Sequence, residues 1–252
     1  MSRSFLTHFK TAGLFAALAT LFCSTPMQAQ TPAPLKIGII GDSTVSTYPA
    51  ADLHRGWGQM LPEFFLPDVQ ILNEAKPGAS TKTFPADRWQ KILEFKADFI
   101  LIQFGHNDQH EKTKPEATDA ATDYKENLRR YIKESRENGA TPILVTSMHR
   151  RTYDATQKVT KELQPYVDAM KSVGQEMNVP VLDLYTESGV LFETLGEEGG
   201  TALTINNIDK ADRPGKGDRT HFTSEGATEM AKLVARGLAT IDPKLKAALK
   251  NP

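Results

Sequence analysis

Cysteine is almost absent from this sequence of 252 residues, which contains a single one, Cys23. Cys23 lies in an N-terminal stretch that we expect to be removed, so the mature chain is predicted to contain no thiol. This absence excludes a disulfide framework, a zinc–thiolate site and a cysteine nucleophile. The hydrophobic core alone must then hold the fold together.

Long apolar runs are also scarce, and the one that is present lies near the N-terminus. Arg3 and Lys10 precede an almost uninterrupted apolar run from Ala12 to Cys23, and Ala29 is a small residue suited to cleavage. This order is typical of a secretory signal peptide. The run is about a dozen residues long, whereas a membrane-spanning helix needs about 20. An uncleaved membrane anchor is the alternative.

These features predict how the chain is organised. We expect a signal peptide over residues 1–29, a flexible Thr/Pro-rich lead-in over 30–34, and one domain over 35–252. The protein is accordingly predicted to be exported, to the periplasm or the extracellular space. The sequence does not choose between these two locations.

An excess of charge of one sign is lacking too. Thirty Lys and Arg residues face 31 Asp and Glu residues, which gives a formal net charge of −1. Electrostatic attraction to nucleic acid or to an anionic membrane is therefore not expected, and after signal cleavage we predict neither as a partner. Oligomeric state is not determined by the sequence.

Five short apolar runs recur along the chain and predict buried strands. Each has four to six residues rich in Ile, Val, Leu or Phe, as parallel strands covered on both faces require. The runs are Leu35–Ile40, Val69–Leu72, Phe99–Phe104, Pro142–Thr146 and Val179–Leu184.

Amphipathic stretches alternate with these runs and predict helices. They are Trp57–Phe65, Ala86–Phe95, Thr118–Asn138, Val159–Met177 and Ser224–Ile241. The alternation predicts a three-layer α/β/α sandwich around a five-stranded, parallel, flavodoxin-like sheet. The Gly-rich segment 186–219 is predicted to contain a loop or a short helix. Ligands of such sheets bind beyond the carboxyl ends of the strands.

Polar clusters occur at that edge of the predicted sheet. Ser43 directly follows the first strand, in the sequence GDST, and Asp218 and His221 precede the last helix. A serine hydroxyl needs a base, histidine serves near neutral pH, and a carboxylate orients the imidazole. A plain turn for Ser43 and a surface histidine beside a helix cap for His221 are the alternatives.

Two further clusters follow the second and third strands. Asn107, in GHND, offers an amide donor that suits a developing oxyanion, and Gly78 offers a backbone N–H at the same edge. The alternatives are an ordinary turn for Asn107 and a loop glycine with positive φ for Gly78.

Ser43, Gly78, Asn107 and His221 occur in the order that marks the SGNH (GDSL-type) hydrolase superfamily, which the whole mature chain resembles. The resemblance implies that Ser43 is the nucleophile and His221 the general base, with Asp218 orienting His221. It also implies an oxyanion hole built from the N–H groups of Ser43 and Gly78 and the Asn107 side chain. No cofactor is implied.

Longer segments are similar to one branch of that superfamily, the rhamnogalacturonan acetylesterases of carbohydrate esterase family twelve. The segments are GDSTVSTYPA, GWGQ, NEAKPGASTKTF, LIQFGHNDQ, HRRTYD and GDRTHFTSEGA. Thr44 replaces the usual Leu of the GDSL motif, a departure typical of this branch. The resemblance implies hydrolysis of acetyl esters on a pectic polysaccharide or oligosaccharide through an acetyl-serine intermediate.

Four residues are candidates for binding that substrate. Trp57 offers a flat face for a pyranose ring, with core packing as the alternative, and His106 is typical of the branch. Arg150 and Arg151 offer guanidinium groups to uronate carboxylates, with a solvated loop as the alternative.

A metal site is not predicted. His54, His110 and His149 show no metal-binding spacing.

Other functions remain open at this point. Within enzymes, the alternatives are an acetylxylan or other carbohydrate esterase, or a lipase, lysophospholipase or thioesterase on the same scaffold. The polar, basic loops argue against a lipid tail. The alternatives that are not enzymes are a catalytically silent carbohydrate-binding protein and a flavin-binding module. The Asp218–His221 pair would have no function in a flavin-binding module.

Overall fold

The structure of the protein is a computed structural model that describes residues 1–2, 33–205 and 217–250. The predicted signal peptide over residues 1–29 lies almost wholly outside these ranges, so its cleavage and the export of the protein stay predictions. Pro34–Pro252 cluster as one compact unit.

A single parallel sheet of five strands forms the centre of this unit. Its strand order is β2-β1-β3-β4-β5, and every neighbouring pair is parallel. This is the flavodoxin-like order, so the predicted fold class is confirmed. The strands are β1 (Lys36–Gly41), β2 (Gln70–Asn73), β3 (Phe99–Gln103), β4 (Thr141–Val145) and β5 (Val181–Leu182).

Helices connect the strands and cover the sheet. They are α1 (Trp57–Met60), α2 (Ala86–Phe95), α3 (Asp123–Glu137), α4 (Gln164–Met177), α5 (Leu184–Leu203), α6 (Ser224–Ile241) and α7 (Pro243–Ala247). The predicted helix over 57–65 is α1 followed by a 3₁₀ turn, Leu61–Phe64. Pro62 lacks an N–H group and cannot continue the α-helical hydrogen bonds, which explains the change.

Alternate strand residues supply two separate cores, one on each face of the sheet. Ile37 and Ile39 of β1 pack into the core beneath α1, α5, α6 and α7, whereas Ile40 packs into the core beneath α2, α3 and α4. Leu101 and Ile102 of β3 divide in the same way. Side chains of a strand point alternately to its two faces, so this division produces three layers.

The segment after β4 departs from the prediction. The fifth strand has two residues rather than six. It ends at Leu182 because Asp183 begins a helix, and the Asp183 side chain accepts a hydrogen bond from Thr186 N. That helix, α5, extends to Leu203 where a loop or short helix was predicted. Gly196, with φ of 66°, kinks it. Among the described residues, no helix is both long and apolar enough to cross a bilayer.

Candidate active site

Ser43 lies in a tight turn directly after β1, at the carboxyl edge of the sheet. The carbonyl of Asp42 accepts hydrogen bonds from Val45 N at 3.2 Å and from Ser46 Oγ at 2.7 Å, which closes the turn. A side chain at Gly41 would lie 2.8 Å from the backbone oxygen of Gln103, so only glycine allows β1 to run this close to β3. The turn therefore holds Ser43 at a defined place above the strand ends.

His221 and Asp218 meet Ser43 from the far end of the sequence. His221 Nε2 lies 2.8 Å from Ser43 Oγ, and His221 Nδ1 lies 2.7 Å from Asp218 Oδ2. Asp218 Oδ1 accepts hydrogen bonds from the N–H groups of Thr220 and His221, both at 2.9 Å. The structure thus brings together the three residues predicted to form the serine–histidine–aspartate group.

The charge of Asp218 decides which nitrogen of His221 carries the proton. Burial raises the pKa of Asp218, but its hydrogen bond and charge interaction with His221 outweigh burial and hold the pKa well below the ordinary value of 3.8. An ionised carboxylate only accepts hydrogen bonds, so the proton lies on His221 Nδ1. His221 Nε2 is then free to accept the hydroxyl proton of Ser43.

Gly78 and Asn107 lie on two loops that are tied to each other and to β1. Asn107 Nδ2 donates a hydrogen bond to the carbonyl of Ala79 at 2.8 Å, which leaves its second amide hydrogen for another acceptor. Lys76 N donates to the carbonyl of Gly41 at 2.9 Å. Gly78 is exposed and has φ of 79°, a conformation that glycine adopts without strain.

Trp57 is a correction to the substrate-binding candidates, because it packs in the core, which was the alternative given for this residue. The side chain has no exposed surface, and its Nε1 donates to Gln103 Oε1 at 2.7 Å. Gln103 Nε2 in turn donates to Thr44 Oγ1, which donates to Asp42 Oδ1 at 2.7 Å. Trp57 and Thr44 therefore belong to a buried polar network beneath the Ser43 turn.

His106 is a second correction, because it is only 2% exposed and lies beneath the nucleophile. Its Nδ1 is 3.4 Å from Asp42 Oδ2, close enough for an ion pair but not aligned as a hydrogen bond. Burial lowers the pKa of His106, whereas the contact with Asp42 raises it. Burial raises the pKa of Asp42, whereas the contact with His106 lowers it. The net pKa of Asp42 is lowered, with Thr44 also contributing hydrogen bonds.

The two arginines differ from each other. Arg151 is 3% exposed and is hydrogen-bonded to Thr204 Oγ1 and to Thr201 Oγ1, so the predicted contact with a uronate is wrong for this residue. Arg150 is partly exposed and donates to Gln109 Oε1 at 2.5 Å and to Glu162 Oε2 at 3.1 Å. Its contact with substrate stays a prediction.

Three residues beside the site were not predicted to belong to it. The ring of His54 meets that of His221 edge to face, with centroids 5.3 Å apart. His54 also stacks on Tyr48, whose hydroxyl donates to the carbonyl of Ser43 at 2.8 Å. Asp52 Oδ1 lies 2.7 Å from His54 Nδ1. Their loop between β1 and α1 has no periodicity, and only its position after the first strand pointed to the site.

Arg55 holds this loop in place. Its Nη1 donates to the carbonyls of Asp52 and His54, both at 2.6 Å, and its backbone N–H donates to the carbonyl of Phe222 at 3.0 Å. His54 is thereby fixed next to the segment that carries His221.

Comparison with known proteins places this fold and site in a family. Residues 39–228 match the GDSL-like lipase/acylhydrolase family. The chain is 39% identical over 220 residues to the rhamnogalacturonan acetylesterase RhgT of Bacillus subtilis, covering 84% of this chain and 93% of RhgT. It is 40% identical over 206 residues to the probable rhamnogalacturonan acetylesterase YesY of the same organism, covering 80% of this chain and 91% of YesY.

Solved structures show the same architecture. The crystal structure of YxiM from Bacillus subtilis superposes with a TM-score of 0.72 at 27% identity, covering 82% of this chain and 56% of YxiM. The acetylxylan esterase Axe2 of Geobacillus stearothermophilus superposes with a TM-score of 0.61 at 18% identity, which shows the fold alone. It covers 82% of this chain and 96% of Axe2.

A flavodoxin-like sheet with a serine and a histidine at its carboxyl edge defines the class of SGNH-type hydrolases. This chain belongs to the GDSL-like lipase/acylhydrolase family within that class, and it is an esterase. The resemblance stated from the sequence is confirmed.

Proposed function

We propose that this esterase removes acetyl groups from rhamnogalacturonan, with Ser43 as nucleophile and an acetyl-serine intermediate. The observation that carries the chemistry is the hydrogen-bonded series from Ser43 through His221 to Asp218. The substrate is supported by the two relatives of 39% and 40% identity whose names describe that activity. Because a wall polysaccharide is met outside the cell, the proposal includes export by the predicted signal peptide.

The proposed reaction begins with acylation. His221 Nε2 takes the hydroxyl proton of Ser43 as Oγ attacks the acetyl carbonyl, and the ionised Asp218 stabilises the imidazolium that forms. The tetrahedral intermediate collapses as His221 returns the proton to the departing sugar oxygen. Water then attacks the acetyl-serine with His221 again as base, which releases acetate and restores Ser43.

The proposed oxyanion hole consists of the N–H groups of Ser43 and Gly78 and the side-chain amide of Asn107. The hydrogen bond from Asn107 to Ala79 supports this assignment, because it fixes the amide against the loop that carries Gly78. Donors that are held in position before the reaction stabilise a developing charge without the cost of reorganisation.

Acetate release by the purified protein tests the proposal. We expect rapid release from acetylated rhamnogalacturonan, slower release from acetylated xylan, and none from a lysophospholipid. Ser43→Ala should lower kcat by on the order of 10⁴-fold or more, since the nucleophile is lost. The matched control is Ser172→Ala, because Ser172 is exposed on α4, and it should keep the parental rate.

The outcomes separate chemistry from substrate. Full activity in Ser43→Ala would remove Ser43 from the mechanism. Release from xylan or from the lysophospholipid alone, abolished by Ser43→Ala, would keep the mechanism and discard the pectic substrate. Release from no ester, by a protein that is folded, would favour a carbohydrate-binding protein without catalysis.

A further inference from the structure

Two histidine–carboxylate pairs lie side by side at the mouth of the site. His221 is paired with Asp218, and His54 is paired with Asp52, each through Nδ1 at 2.7 Å. The ring centroids of the two histidines are 5.3 Å apart. Within the described ranges, His54, Asp218 and His221 are the one group of three such residues whose ligand atoms all lie within 4.8 Å of one another.

We propose that His54, His221 and Asp218 bind one divalent transition-metal ion such as Zn²⁺, and that this ion reversibly inhibits the esterase. The inhibitory part rests on the proposed role of His221 as general base, whereas the binding part does not. A metal site was not predicted from the sequence, because these residues are far apart along the chain and form no motif.

The chemistry of the three side chains suits such an ion. Imidazole nitrogens and carboxylate oxygens bind Zn²⁺ at about 2.0–2.2 Å, usually in a tetrahedron that water can complete. A ligating histidine commonly donates its other N–H to a carboxylate, which fixes the ring and makes the ligating nitrogen more basic. Asp52 already provides this arrangement for His54.

The site is open to an ion from solution, and ligation requires small movements of its side chains. The side chains of His54 and His221 are 28% and 29% exposed, so an ion reaches them from solution. Tetrahedral ligation requires ligand atoms about 3.4 Å apart, which follows from bond lengths of about 2.1 Å. The proposal therefore includes a small rotation of the two partly exposed rings that brings the ligand atoms to this separation.

The local charge also favours a dication. Three carboxylates act electrostatically on Tyr48, which stacks on His54: those of Asp52, of Asp218 and of the buried Asp42. The pKa of Tyr48 is raised, first by burial and then by the negative charges of these three carboxylates. The Arg55 guanidinium, which donates to the carbonyls of Asp52 and His54, offsets part of this negative charge. The charge that remains on the three carboxylates attracts cations to this point.

Metal binding and catalysis would compete for His221. Asp218 Oδ2 lies beside His221 Nδ1, so an ion that both residues ligate binds His221 through Nδ1 and replaces the hydrogen bond between them. The ring proton then lies on His221 Nε2, which can no longer accept the proton of Ser43. Ligation therefore stops proton transfer until the ion dissociates.

Calorimetric titration with Zn²⁺ tests the binding part. The titration uses the Ser43→Ala protein, which keeps all three ligands and needs no activity. We expect saturable binding of one Zn²⁺ per chain, weakened at least about tenfold when His54→Gln is added, because a ligand is lost. His110→Gln is the matched control, since His110 pairs with Glu116 at 2.6 Å and is not part of the group.

Inhibition is then measured on the parental protein. Acetate release should fall with increasing Zn²⁺ and return when EDTA is added. His54→Gln, normalised to its own metal-free rate, should require about 10- to 100-fold more Zn²⁺ for the same inhibition, and His110→Gln should behave as the parent.

Two results would overturn the proposal: no saturable binding to Ser43→Ala, or equal loss of binding in His54→Gln and His110→Gln. A parental protein that hydrolyses no ester would contradict the proposed function instead, and the calorimetric result would still decide the metal site.

Discussion

At the scale of single residues, the Ser43 turn depends on side chains beneath it. Thr44 donates to Asp42 and accepts from Gln103, which also accepts from Trp57. A leucine at position 44 has no group that makes these hydrogen bonds, so Gln103 and Asp42 would each lose a buried partner. An unsatisfied buried polar group costs about 1–3 kcal/mol. These hydrogen bonds explain why a threonine occupies position 44 in the GDST sequence.

Asn107 provides the prediction at this scale. Its amide is fixed by Ala79, and removing one oxyanion donor typically lowers kcat by about 10²–10³. We expect Asn107→Ala to lower kcat for acetate release by that factor, with little change in KM.

Asn127→Ala is the comparison, because the Asn127 amide donates to the side chain of Thr81, further along the loop that carries Gly78, and is not assigned to the oxyanion hole. It should remain within about tenfold of the parent, well short of the loss caused by an absent oxyanion donor. A loss below tenfold in Asn107→Ala would assign the oxyanion to other donors.

At the scale of elements, His221 is held by the contacts of the segment that precedes α6. Ile205 N, just after α5, donates to the carbonyl of His221 at 2.9 Å, and Thr223 N donates to that of Leu203 at 3.1 Å. A side chain at Gly226 would lie 1.9 Å from the backbone oxygen of Leu203, so α5 and α6 approach too closely for any other residue. The helix that departs most from the sequence prediction therefore positions His221.

Thr223 provides the prediction at this scale. Its side chain accepts a hydrogen bond from Gly226 N and caps α6. Thr223→Ala should lower the free energy of unfolding by about 1 kcal/mol, because the cap is lost. Urea unfolding measures this change.

Thr228→Ala serves as the comparison, since Thr228 lies inside α6 and bonds the carbonyl of Ser224. Alanine is the better helix former at such a position, so this variant should be neutral or slightly more stable. Equal destabilisation by both substitutions would show that the capping bond contributes nothing.

At the scale of the whole molecule, acid stability reflects the charge at the site. The pKa of Asp218 lies well below 3.8 in the folded protein, whereas in the unfolded chain it returns to about that value. Below pH 3.8 the unfolded chain therefore binds more protons than the folded one, and the free energy of unfolding falls as the pH falls. More than about one pH unit above that value, the contribution of Asp218 is fully present.

Asp218→Asn should thus show a shallower loss of stability between about pH 5 and pH 2 than the parent, since asparagine does not titrate. Urea unfolding across this pH range measures the slope. Asp68→Asn, at an exposed position, should retain the parental slope. Superimposable slopes for the parent and Asp218→Asn would mean that Asp218 adds no acid-sensitive stability.

The sequence by itself determined the sheet, most helices and the order of the polar clusters. Apolar runs of strand length alternate with segments of helical periodicity, and both are local patterns in the sequence. Parallel strands bring their carboxyl ends to one edge, so Ser43, Gly78 and Asn107 were placed at that edge without coordinates. The same logic placed Asp218 and His221 before the last helix.

Only the tertiary structure decided which polar side chains are buried and which distant ones meet. The sequence offered Trp57, His106 and Arg151 as candidates for contact with substrate, yet neighbouring elements bury all three. His54 reaches His221 because Arg55 ties its loop to the segment before α6. Burial and long-range contact depend on other parts of the chain that pack against a residue, and a local sequence pattern does not identify those parts.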